Sequence, residues 1–168
     1  MAFPKQFTCL EIPLPRCMRE LPRAPPVISA DAADKEVLRL LRAFGKEFNC
    51  SEGEITQACN LASGPSDIVV ILERPAPNHN YEATFEEFVS DCKTLKAVDE
   101  LIRFATNRAR SIYTVSILDT FSFKTRKTWS RPSDEECNQL LSRILRIKKP
   151  KVVLGSWSGE GPSTYSNI

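Results

Sequence analysis

Between residues 33 and 48 the apolar side chains Val37, Leu38, Leu40, Leu41, Phe44 and Phe48 recur at helical spacing and predict one amphipathic helix. Ser51 and Glu54 have the form of a capping box, in which a hydroxyl accepts from the N–H three residues on and the acid accepts back. That pair predicts a second helix running to Ala62, and Ser63-Gly64-Pro65-Ser66 ends it. The next pattern differs in kind. Ile68, Val69, Val70, Ile71 and Leu72 are consecutive and mostly β-branched, which predicts a strand covered on both faces, as in parallel sheets.

Thr84 and Glu87 form another capping box, opening a long helical region with an interruption near Thr94; Val98, Leu101, Ile102 and Ala105 share a face of its second part. Residues 112–118 predict a second strand, followed by a polar loop over 119–132. Ser133 and Glu136 then cap a helix with Cys137, Leu140, Leu141, Ile144 and Leu145 on its apolar face. Pro150 stops it, and residues 151–154 read as a third strand. Strands alternating with helices predict an α/β fold, a three-layer αβα arrangement with a mostly parallel central sheet. Residues 1–30 hold six prolines without periodicity and read as an extended arm; residues 31–157 form the single domain, and 158–168 a Ser- and Gly-rich flexible tail.

Composition adds boundaries to this picture. With 168 residues, 42% hydrophobic and 26% charged, the chain is long enough to bury a core and too apolar to be disordered throughout. No apolar run is long enough to cross a bilayer, and the N-terminus lacks an apolar signal core. The expectation is an intracellular protein, nuclear or cytoplasmic, that is not secreted and has no membrane partner. None of the six cysteines lies in a Cys-x-x-Cys pair, so they read as free packing thiols; no metal and no cofactor are expected.

Charge is unevenly spread. The net is −5 over residues 1–100 and +7 over residues 101–168, so the C-terminal part is the one suited to phosphates. Ligand sites in parallel sheets lie beyond the carboxyl ends of the strands. The first such segment carries Glu73, Arg74, Pro75, Ala76, Asn78 and His79, the chain's sole histidine. A lone loop histidine titrates near neutrality but is more often a turn residue than a general base. The second carries Asp119 and Phe121, then Lys124, Arg126, Lys127, Trp129 and Arg131, a mixture of cations and aromatics that suits phosphate contact and base stacking. A solvated loop with its aromatics tucked into the core would read the same way.

The succession of these segments resembles the uracil-DNA glycosylase superfamily. Residues 68–77 are similar to its first motif, a buried strand running into a Gly-Glu-x-Pro-Gly loop, with Leu72 at the first glycine, Glu73 at the acid, Pro75 at the proline and Ala76 at the second glycine. Residues 115–121 are similar to its second strand, and residues 131–155 to its helix and following strand. The family's later His-containing loop has no counterpart after Lys151, so the resemblance is to a degenerate or C-terminally truncated form. It implies a uracil-DNA glycosylase-like fold and hydrolysis of the N-glycosidic bond of a damaged base flipped out of DNA. It further implies Glu73 as the catalytic acid, with Arg74, Pro75, Ala76, Asn78, His79, Asp119 and Phe121 around the base. DNA would meet Lys124, Arg126, Lys127, Trp129 and Arg131. Two alternatives stay open: a non-catalytic nucleic-acid-binding module of the same fold, and a small-molecule or protein-interaction domain.

Overall fold

The computed structural model describes residues 32–76, 78–124 and 132–156, with side chains described for 34–76, 78–124 and 132–155. Helices α1 (Ala32–Glu47) and α2 (Glu52–Ala62) precede strand β1 (Ile68–Leu72). Helices α3 (Phe85–Asp91) and α4 (Lys93–Ala105) lead to β2 (Ser116–Asp119), and α5 (Asp134–Lys148) leads to β3 (Val152–Ser156). The expected arm at 1–30 and the tail at 158–168 lie outside the described residues.

All three capping boxes form with both bonds. Ser51 Oγ accepts from Glu54 N at 3.1 Å while Glu54 Oε2 accepts from Ser51 N at 2.8 Å. Thr84 with Glu87 and Ser133 with Glu136 repeat the arrangement. Each box satisfies N–H groups that the first helical turn leaves without partners, so three helix starts are fixed locally.

The sheet has the order β2-β1-β3 and both pairings are parallel, with Leu72 opposite Asp119 and Ser156. β1 is central and its five side chains are all buried, which accounts for its unbroken apolar run. Ile68, Val70 and Leu72 pack with Val115 and Ile117 against Phe88, Leu95 and Ile102 of α3 and α4. Val69, Ile71 and Leu118 pack on the other face against Leu41, Ile55 and Ile144 of α1, α2 and α5. The molecule is therefore an α/β fold with helices on both faces of a small, open parallel sheet.

One local expectation is sharpened and another is corrected. The helical interruption falls at Cys92, whose extended backbone closes α3 and opens α4, two residues before Thr94. Residues 112–114 form a 3-10 turn, and β2 begins only at Ser116. There Thr114 Oγ1 accepts from Ser111 N at 2.9 Å, and Asp99 Oδ1 accepts from Ile112 N at 2.7 Å. Side-chain oxygens thus take N–H groups that a strand would offer to its neighbour.

The chain entering β1 is pressed against β2. Ser116 Oγ donates to Gly64 O at 2.5 Å, and a Cβ at residue 64 would collide with the Val115 carbonyl, so only glycine fits. Beneath it Lys148 Nζ donates to Asp34 Oδ1 at 2.9 Å and to Gly64 O at 3.1 Å, tying the ends of α1 and α5 to this turn. Among the described residues no helix is long and apolar enough to cross a membrane.

Candidate functional site

The chain leaving β1 runs to α3 on one face of the sheet, whereas the chain leaving β2 runs to α5 on the other. Neighbouring strands whose exits diverge leave a crevice at their carboxyl ends, the usual place for a ligand in such folds. Pairing continues past both strands, with Thr120 N donating to Leu72 O at 2.8 Å and Phe121 N to Glu73 O at 2.9 Å. Glu73 and Asp119 are in this way held at the same end of the sheet.

A pocket of about 40 Å³ opens beside Asp119, enough for a few water molecules. Pro75, Tyr81 and Phe88 line it from the β1 exit, and Ser122 and Phe123 from the β2 exit. Glu54 and Gln57 reach it from α2. Gln57 is 3% exposed, and its Nε2 donates to Ala83 O at 2.8 Å and to Tyr81 O at 3.4 Å. Tyr81 in turn donates its hydroxyl to Ala76 O at 3.2 Å. These bonds fasten the loop to α2 and to itself, so the aromatic wall is held before any ligand arrives.

On the opposite side Phe123 has φ 61° and is 7% exposed. A bulky residue in the left-handed region is unusual, and its strain is held by packing, with its ring 6.2 Å from that of Phe44. Ser122 Oγ donates to Asp119 O at 3.0 Å and closes this turn.

The Asp119 carboxyl lies in the pocket wall with no hydrogen bond or ion pair to another described residue. Loss of hydration favours its neutral form, and burial pushes it from the ordinary 3.8 to about 7. Among the described residues no Lys, Arg or His lines the pocket. Burial likewise raises the Tyr81 hydroxyl, with the negative charges of Glu54 and Asp119 adding to the effect.

The remaining expected site residues divide into groups. Glu73 accepts from Arg74 at 3.0 Å, and the Arg74 guanidinium lies 4.8 Å from the centre of the Phe121 ring. This cluster sits at the strand ends, but none of its three members lines the pocket. His79 packs edge-on to Phe88 with ring centres 4.7 Å apart. Its Nδ1 is buried without a hydrogen-bond partner, and burial lowers its pKa, so the ring is neutral at pH 7. Asn78 is exposed in the same loop, while Pro75 and Asp119 do meet in the pocket.

Lys124, expected to face phosphates, is instead buried and ion-paired with Asp134 at the start of α5, its side chain 8% exposed. Arg126, Lys127, Trp129 and Arg131 lie outside the described residues. Of the cysteines described, Cys50, Cys59, Cys92 and Cys137 are free thiols, and Cys137 is wholly buried. Among the described residues no three potential metal ligands come together.

Comparison with known proteins adds no relative. No protein family, curated protein or solved structure matches this chain. The site therefore rests on its own geometry. Sequence reasoning passed over Glu54, Gln57, Phe88, Ser122 and Phe123 as pocket residues. Glu54 had signalled only a helix cap, a role it also fills. Phe88 follows a capping box and reads as an ordinary core position, and nothing local marks Gln57 as the tie across to residues 81 and 83.

Proposed function

We propose that this chain is a uracil-DNA glycosylase-like domain that receives a flipped-out base of DNA in the pocket beside Asp119 and hydrolyses its N-glycosidic bond. The observation that carries this reading is the unpartnered Asp119 carboxyl, set in an aromatic-walled pocket where the exits of two parallel strands diverge. A planar ring would lie against Tyr81 and Phe88, with its hydrogen-bonding edge on Asp119. Glu73, at the end of the adjacent strand, would orient the attacking water or steady the cationic sugar, with Arg74 holding its carboxylate. Water adds to the sugar's anomeric carbon as the bond to the base nitrogen breaks, and the base leaves with a proton. Unstacking and extruding the base costs a few kcal/mol, recovered in part by burial in the pocket.

The test is base release from a uracil-containing single-stranded oligonucleotide by the parent and by Glu73→Gln. Release by the parent, reduced by about 10²-fold or more in the variant, is the expected outcome for an acid acting in the reaction. Equal release by both proteins removes Glu73 from the chemistry. One observation favours a second reading, a base-binding module without hydrolysis: Glu73 is already ion-paired to Arg74 and stands off the pocket lining. That module would bind the oligonucleotide with a salt-sensitive affinity and form no product.

A further inference from the structure

The pocket has an unusual set of neighbours for a carboxyl. Leu41, Phe88 and Ile117 present hydrocarbon to the cavity from α1, α3 and β2. Among the described residues the ionisable groups that join Asp119 in its lining are Glu54 of α2 and Tyr81 of the loop before α3, neither of which can supply positive charge. Ser122 has committed its hydroxyl proton to the Asp119 backbone, Gln57 its amide to the 81–83 carbonyls, and Tyr81 its proton to Ala76. The Arg74 guanidinium, at the same end of the sheet, is held by Glu73 and Phe121 off the lining. An ionised carboxyl in this position faces another acid and finds no donor among these side chains, whereas a neutral one carries its own donor and acceptor.

We infer that Asp119 meets its ligand as a neutral carboxylic acid, so the pocket selects an uncharged planar heterocycle whose edge presents one donor beside one acceptor. Uracil does so with N3–H and an adjacent carbonyl, and cytosine with its exocyclic amine and N3. An anionic ligand such as a phosphate is disfavoured by the same lining, since none of its described residues offsets negative charge. This inference rests on the base-pocket reading and adds to it the protonation state in which the base is read. The upward shift of the carboxyl to about 7 places the change of state in the neutral range.

The experiment uses the full chain with free uracil and free cytosine as probes, titrated calorimetrically from about pH 6 to about pH 8.5. Only the neutral fraction of Asp119 is competent, so affinity should fall roughly 30-fold across that interval. Asp119→Asn, which keeps a donor and an acceptor in nearly the same shape but cannot ionise, should bind throughout with no such fall. Affinity that rises with pH, or is flat in the parent, overturns the neutral-acid inference and leaves the base pocket standing. Failure of both probes to bind the folded parent at any pH overturns the base-pocket reading itself, and the inference with it.

Discussion

At the end of the sheet where the strands begin, Lys148 and Arg110 are almost wholly buried, their side chains 0% and 2% exposed, and each meets a carboxylate. Lys148 bonds Asp34 at 2.9 Å and the Gly64 carbonyl; Arg110 bonds Asp67 at 2.5 Å and the Thr114 carbonyl. At the end where the strands finish, Asp119 sits in an apolar cavity with no such partner. The first end removes charged groups from water and the second does so in part, which costs up to several kcal/mol unless the groups are paired or neutralised. The first end pairs its charges within the chain, leaving only Arg110 Nε among these groups without a hydrogen bond, and becomes a clamp joining α1, α5 and the turn before β1. The second leaves it unsolved, which is the condition under which a ligand or a proton can bind there.

The largest expected effect comes from breaking the paired end. Lys148→Met should take the buried ammonium away from Asp34 and the Gly64 carbonyl and lower unfolding stability by roughly 3–5 kcal/mol. Denaturant unfolding of parent and variant at pH 7 measures it. A loss below about 1 kcal/mol would mean that the two ends are alike and that the clamp adds little.

Changing the other end should have the opposite sign. Because the folded state holds the Asp119 proton to about pH 7 and the unfolded chain releases it near 3.8, this group's contribution to stability is fully present below pH 4. It is lost as pH rises to 7. Asp119→Asn should therefore flatten that decline and make the protein more stable than the parent above pH 7. The gain is about 2 kcal/mol once water in the open pocket is allowed for. Thermal melts of both proteins at several pH values across this window decide it, and a variant less stable at pH 8 would show that Asp119 has a favourable partner.

The smallest effect returns to the first end. Lys149 closes α5 with φ 46° and is exposed, so its side chain gains little and its backbone is strained. Lys149→Gly should raise stability by about 0.5–1 kcal/mol without touching the pocket. The midpoint of chemical unfolding is the readout, and base affinity should stay unchanged.

What could be read from the chain alone follows from range. The Ser51–Glu54, Thr84–Glu87 and Ser133–Glu136 boxes act within four residues, so their pattern names the helix starts directly. The run Ile68 to Leu72 is equally legible, since a strand buried on both faces has no polar side. Residues 112–114 were less so: their apolar and β-branched character favours a strand, yet Asp99, thirteen residues earlier, takes the Ile112 N–H and helps hold the turn. The same applies to Lys124, whose surroundings in sequence look like a phosphate-facing loop but whose partner is Asp134.

By itself, then, the sequence determined the order of the main elements, the parallel α/β class and the position of Glu73 and Asp119 at the carboxyl ends of strands. Those features depend on periodicity, caps and the rule that parallel strands need crossovers. Tertiary structure alone decided that Asp119 shares a pocket with Gln57, Tyr81, Phe88 and Phe123 while Glu73 turns to Arg74. It also decided that Lys148 finds Asp34, 114 positions away. Such contacts depend on which surfaces are brought together and which groups water can still reach, and no local pattern of residues encodes either.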